Sequence, residues 1–202
     1  MLMNKDSRPQ IWVIRHAETE WSLNGRHTGR TDIPLTARGN EAAVELKPWV
    51  SAMQFGTVLS SPRIRAIHTA QLCGLENQVR VEPLLAEWDY GDYEGWTSLE
   101  IATKNPGWDL WHHGCPGGEH LSDVHKRAVQ LLDHCKSLSG NIAMFTHGHF
   151  SRVLIATWLE LPVTRGRSFA IRAGSVNVLG WEHINKVIWS MGAVPSGPGV
   201  GR

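Results

Sequence analysis

Apolar residues along this chain follow two rhythms. Short runs such as IWVIR at 11–15, GTVLS at 56–60 and NIAMFTH at 141–147 are compact and carry β-branched residues, so they read as strands. Elsewhere the apolar positions recur at helical spacing. Leu121, Val124, Ala128, Leu131 and Leu132 mark the stripe of an amphipathic helix over 119–138. The same reading predicts helices over 36–51, with Thr36 as its N-cap, over 62–75, with Pro62 near its first turn, and over 149–161. A further strand is expected at 79–82, and three late stretches near 168–172, 175–181 and 186–191 alternate and carry β-formers. Residues 83–118 read as irregular, rich in Trp, Gly and Asp, with one short helix near 97–104. The two ends, 1–9 and 195–202, read as loose.

Strand followed by helix, repeated, predicts an α/β fold with three layers, α/β/α, around a mostly parallel central sheet. A chain of 202 residues fits one such domain, 1–202. In open sheets of this kind ligands bind beyond the carboxyl ends of the strands. Three polar clusters fall there: Arg15-His16, the stretch from Ser60 to Arg65, and Thr146-His147-Gly148-His149.

Composition narrows the classes. A formal net charge of +1 speaks against a nucleic-acid partner, whose basic face would show in the balance. A polar start and the lack of a long apolar run predict no membrane partner, and three cysteines without a CxxC pair predict a reduced, cytoplasmic protein. Eleven histidines occur without HExxH or regular Cys/His spacing, so no metal and no other cofactor is expected. The ten tryptophans are read first as core and rim packing. A sheet edge leaves room for a homo-oligomer.

Arg15, His16, Arg65 and His147 would share one edge of the sheet. A strand-end histidine alone is more often surface filler than catalyst. Four cationic or potentially cationic groups together repel one another, and an anion relieves them. Phosphate suits the paired donors of arginine, and the helix starts near Arg63 and Gly148 would add backbone N–H groups. Flanking positive charge keeps the His16 imidazole neutral and able to attack phosphorus. The arginines and His147 would then stabilise charge on the equatorial oxygens. A leaving alkoxide needs a proton, and Glu87 in EWDYGDYEG is the first candidate for general acid, beside Trp88 and Tyr90. Asp89, Asp92 and Glu94 are rivals that chemistry alone does not separate.

Four stretches, RHAETEWSLNGRHTGRTDIPLT at 15–36, SSPRIRAIHTA at 60–70, EWDYGDYEG at 87–95 and THG at 146–148, resemble the histidine phosphatase superfamily, or phosphoglycerate-mutase-like family, in order and spacing. The resemblance implies that family's fold and a phosphohistidine at His16. It also implies phosphate contacts from Arg15, Arg65 and His147, and Glu87 as the proton donor among the four acids. It places Ser22, Thr28, Gly29 and the Gly148 backbone in the pocket lining. Ala17 stands where glycine is commoner in the family and Ser22 where asparagine is frequent; neither change removes a catalytic group. Mutases of the family carry a lysine some eleven residues after the acid and a Trp-Arg-Arg segment, where this chain has Ser98 and Trp111-His112-His113. Later stretches, WDLWHHGCPGGE and HGHFSR, resemble the sedoheptulose bisphosphatase branch, next to broad-specificity sugar phosphatases. The expectation is therefore a metal-independent phosphatase of small sugar phosphates or bisphosphates. Arg26, His27, Tyr90, His112, His113 and Trp158 are candidates to shape the sugar pocket. The competing readings are a phosphoglycerate mutase and a non-catalytic phospholigand-binding module.

Overall fold

The protein is described here by a computed structural model covering residues 8–195, so most of the two ends expected to be loose falls outside the described residues. Six strands form one sheet: β1 (Ile11–Arg15), β2 (Phe55–Ser60), β3 (Val79–Val81), β4 (Asn141–Thr146), β5 (Val176–Glu182) and β6 (Asn185–Ala193), in the order β3-β2-β4-β1-β5-β6. The four strands from β3 to β1 run parallel, whereas β5 and β6 are antiparallel additions beside β1. Parallel strands buried on both faces carry unbroken apolar runs, as the sequence rhythm required.

The α-helices among the described residues are α1 (Glu20–Leu23), α2 (Ala37–Glu45), α3 (Lys47–Ser51), α4 (Ile64–Ala70), α5 (Ser98–Lys104), α6 (Leu110–His113), α7 (Leu121–Cys135) and α8 (Gly148–Trp158). Alternate residues of each central strand enter different cores. Val13, Leu59 and Met144 pack on one face with Val124, Ala128 and Leu131 of α7 (Leu121–Cys135) and Phe150, Val153 and Leu154 of α8 (Gly148–Trp158). Ile14, Val58 and Phe145 pack on the other with Ala66 and Ala70 of α4 (Ile64–Ala70) and with Val50. These are the three layers.

The helix expected over 36–51 starts as predicted: Thr36 Oγ1 accepts the Gly39 N–H at 2.9 Å. It then divides at Leu46 into Ala37–Glu45 and Lys47–Ser51, because Pro48 has no N–H to continue the ladder. The helix expected over 62–75 begins at Ile64 and opens at Gln71–Leu75 into a wider turn, where Gly74 takes φ 84°. Two corrections concern strands and short helices. Residues near 168–172 are not a strand: Val163–Ser168 is a short 3-10 helix and both edges of β5 are already paired, to β1 and β6. Glu20–Leu23 forms a short helix the periodicity did not signal, capped by Thr19 and Ser22 through reciprocal bonds.

In-register pairing sets the site. Arg15 lies beside Thr146, and Ser60 beside Phe145, so β1, β2 and β4 end level. The ladder even extends one step, with His16 N–H donating to Thr146 O (2.9 Å) and Ser61 N–H to Phe145 O (2.9 Å).

Candidate active site

At those strand ends lies a polar cleft enclosing about 640 Å³, mouth included, a size that suits a small ligand. Arg15, His16, Glu87 and Gly148 line its floor side, and Ser22, Arg26, His27, Thr28 and Tyr90 line it as well. The sequence reading had placed all nine in the site. His147 and Arg65 lie directly behind, fully buried.

His16 Nδ1 lies 2.7 Å from the Ala17 carbonyl, which can only accept, so Nδ1 carries the proton and Nε2 keeps its lone pair. Burial, then the nearby charges of Arg65 and Arg15, hold this imidazole well below its ordinary range and therefore neutral. The His147 ring centroid is 5.2 Å away. His147 Nε2 meets Ser61 Oγ at 2.7 Å, and Ser61 Oγ itself accepts the Arg63 N–H at 3.3 Å. The Ser61 hydroxyl can donate to His147 Nε2, and in that tautomer the His147 proton sits on Nδ1. Burial and Arg65 keep His147 neutral too.

Arg65 is held by three backbone carbonyls, Thr31 (2.9 Å), Thr28 (2.9 Å) and Gly29 (3.2 Å). Burial pulls it down to about 10, still cationic at neutral pH. Arg15 Nη1 donates to Ile171 O at 2.7 Å, which gives the irregular stretch after residue 168 its use. Arg15 Nε, Arg65 Nε and His147 Nδ1 are buried nitrogens with no partner among the described residues, the two arginine nitrogens as donors and His147 Nδ1 as a donor in the Nδ1-protonated tautomer. Buried donors need acceptors, and these three, one at the end of β1, one in the first turn of α4 and one at the start of α8, suit the oxygens of an anion such as phosphate.

Of the four acids that competed for the proton-donor role, Glu87 alone lines the cleft. Its Oε1 accepts the N–H groups of Trp88 (2.9 Å) and Phe150 (2.8 Å), and Oε2 that of His149 (3.0 Å). Oε1 is thereby saturated, whereas Oε2 keeps a site for a substrate oxygen. Two of the rivals are engaged elsewhere. Glu94 accepts from Gly29 N (2.9 Å) and Thr31 N (3.0 Å), shaping the loop whose carbonyls grip Arg65. Asp89 pairs with Arg30 at 2.6 Å.

Several expectations change. Gly29 is not in the cleft wall: a Cβ there would stand 2.6 Å from Trp88 O, so glycine permits close approach of two loops. The Ser22 hydroxyl is occupied in its capping pair with Thr19. His112 lies off the cleft, half-exposed, 3.0 Å from Asp109. His113 likewise turns back to its own helix start, and Trp158 donates to Val187 O at the far end of α8. The helix starts supply fewer free amides than expected, since α8 gives His149 and Phe150 N–H to Glu87 and α4 gives Ile64 N–H to Asp32. Sequence reasoning set His149 in the polar cluster after β4 but gave it no role, and it missed Arg152 as a wall residue. Their signal was present: with Gly148 they occupy one face of the first turn of α8, which starts at the cleft. His149 Nδ1 lies 2.7 Å from the Tyr90 hydroxyl, and burial keeps that imidazole neutral and that phenol protonated.

The three cysteines offer no rival nucleophile, being unbridged and buried, with each thiol pushed up to about 12. No cluster of His, Cys, Asp and Glu among the described residues could hold a metal ion, and no helix among them is long and apolar enough to cross a membrane.

A mostly parallel α/β sheet whose strand ends bring a neutral, tautomer-fixed histidine together with two arginines and a carboxylate holds the groups that phosphoryl transfer through histidine would use. The profile of the histidine phosphatase superfamily (branch 1) matches residues 11–193. The chain belongs to that superfamily, and relatives similar to it are named as phosphatases. It is 40% identical over 180 residues to an acid phosphatase of Mycobacterium tuberculosis, covering 86% of this chain and 87% of that protein. It is 30% identical over 189 residues to sedoheptulose 1,7-bisphosphatase of Saccharomyces cerevisiae, covering 78% and 70%. A solved structure of an open reading frame from Mycobacterium tuberculosis superposes with a TM-score of 0.86 at 38% identity, covering 94% of this chain and all of that one.

Proposed function

We propose that the protein hydrolyses small phosphorylated sugars, including sugar bisphosphates, through a phosphohistidine at His16 and without a metal ion. The observation that carries this reading is the His16 ring: Nδ1 tied to Ala17 O, Nε2 unprotonated, and unpartnered donors of Arg15, Arg65 and His147 beside it. The Nε2 lone pair attacks phosphorus as the ester P–O bond breaks, and the leaving oxygen takes a proton from Glu87. Glu87, now a carboxylate, takes a proton from water as that water attacks phosphorus. The P–N bond breaks, phosphate leaves, and His16 regains its lone pair. Arg15, Arg65 and His147 Nδ1–H hold the equatorial oxygens through both transfers.

The outer cleft supports the substrate class. His27 Nδ1 donates to Trp96 O at 2.8 Å, leaving Nε2 as an acceptor for a hydroxyl. Arg152 lines the cleft without an acidic partner among the described residues and is a seat for a second anionic group. Relatives named acid phosphatase and sedoheptulose 1,7-bisphosphatase are in keeping with this. The mutase reading would need the lysine and the Trp-Arg-Arg segment that the mutases of the family carry. The wall carries Ser98 where that lysine would stand, and His112 is turned to Asp109.

Phosphate release from sugar mono- and bisphosphates and from 3-phosphoglycerate, measured with EDTA present, tests the reading. Release concentrated on the sugar phosphates is the expected result. Interconversion of phosphoglycerates with slow release from every substrate would show a mutase instead.

A further inference from the structure

Glu87 is useful as a proton donor only while its carboxyl stays at the cleft wall, yet it sits in a segment that belongs to neither the sheet nor a long helix. Much of what holds that segment is one side chain, Arg127 of α7. Its Nη1 donates to the carbonyls of Leu84 (2.8 Å) and Ala86 (3.1 Å), and its Nη2 to the carbonyl of Glu87 itself (3.3 Å). The same guanidinium forks onto Glu119, Nε to Oε1 at 2.7 Å and Nη2 to Oε2 at 2.9 Å. All five of its N–H donors are therefore used.

Glu119 passes the grip onward. Its Oε2 accepts the Asp89 N–H at 2.9 Å and its carbonyl accepts Trp88 Nε1–H at 2.8 Å. Arg127 also lies 4.9 Å above the Phe150 ring, and the Phe150 N–H is one of the donors to the Glu87 carboxylate. The backbone behind Glu87 and one residue in front of its carboxylate thus meet at the same cation. An arginine that served only to anchor α7 would have no reason to spend three of its five donors on the carbonyls of Leu84, Ala86 and Glu87.

We propose that Arg127 is a positioning residue for proton transfer: it fixes the backbone from which Glu87 reaches the leaving-group oxygen, and it touches no substrate. This rests on the reading of Glu87 as general acid. Losing the fork should slow the step in which the leaving oxygen takes its proton and leave phosphate binding unchanged. Lysine cannot replace it, having three donors on a point charge and no planar fork.

The test compares turnover of a sugar phosphate, whose alkoxide needs the proton, with that of p-nitrophenyl phosphate, whose anion scarcely does. Glu87→Gln, Arg127→Lys and Glu119→Gln are each measured, with inhibition by inorganic phosphate and thermal melting followed in parallel. Glu87→Gln should lose on the order of 100-fold on the sugar phosphate and far less on the nitrophenyl ester. Arg127→Lys should show the same selectivity at roughly tenfold, with phosphate inhibition unchanged. Equal losses on both substrates, or no loss, would overturn the positioning role while selective loss in Glu87→Gln kept the acid role standing. No selectivity in Glu87→Gln would overturn the acid reading itself, and the positioning role with it. Should Arg127→Lys fail to fold, Glu119→Gln decides, because it loosens the fork and spares the carbonyl bonds: selective loss supports the proposal, equal loss overturns it.

Discussion

The two arginines that would bind a phosphate also keep His16 able to attack it. Burial comes first in holding that ring neutral, and Arg65 and Arg15 add to it, so the nucleophile's proton is lost at a pH below the ordinary 6.5 of histidine. The same causes act on His147. The acid limb of kcat/KM, which reports the free enzyme, should therefore lie below pH 6.5, and hydrolysis of p-nitrophenyl phosphate should persist well into the acid range. A pH–rate profile whose acid limb fell at or above 6.5 would mean that burial and the arginines do not govern His16. At this scale much of the site was legible. Arg15, His16, Arg65 and His147 stood out because polar residues ended apolar strands. The acid was not separable by chemistry, because Asp89 and Glu94 differ from Glu87 only in partners, Arg30 and the Gly29 and Thr31 amides, that lie far along the chain.

At the scale of elements, periodicity located the long pieces and local chemistry set their ends. Thr36 shows how directly a cap is read: its hydroxyl meets the Gly39 N–H, and the helix starts at the next residue. Thr36→Ala should cost about 1 kcal/mol of stability, visible as a lower urea midpoint at an unchanged slope, with activity unaltered. A loss under ~0.3 kcal/mol would show that water replaces the cap fully. What stayed hidden were short helices such as Glu20–Leu23, too brief for a period, and the stretch after residue 168. There the β-forming residues were real, but the sheet offered no open edge beside β5, and Ile171 O went to Arg15 instead. The shared face of His149 and Arg152 could be read from the sequence but its direction could not: only the position of the α8 start at the cleft tells which face looks inward.

For the whole molecule, gathering so many neutral imidazoles has a thermodynamic consequence. His16, His147 and His149 are held well below their ordinary range and His27 is lowered as well, in each case chiefly by burial. The unfolded chain therefore binds more protons than the folded one once pH falls through 6.5, and stability drains away below that value. Each such histidine contributes up to about 1.4 kcal/mol per pH unit in that window, and nothing above it. Unfolding midpoints should be level between pH 7 and 8 and fall from about pH 6.5 downward, more steeply than in His149→Gln, which removes one of the set. A flat profile from pH 7 to pH 5 would contradict this. The fold's three layers were legible as a whole because strand and helix rhythms alternate over nearly the entire chain. The order β3-β2-β4-β1-β5-β6 was not, since it depends on crossovers that the rhythm does not encode.

A phosphohistidine at His16 is most directly tested by mixing the enzyme with a ³²P-labelled sugar bisphosphate, quenching within milliseconds in alkali and locating the label. Labelled protein should form before free phosphate appears, with the label on His16 and absent from His16→Ala. Free phosphate released at the full rate with no labelled protein at any quench time would contradict it, since water would then attack phosphorus directly.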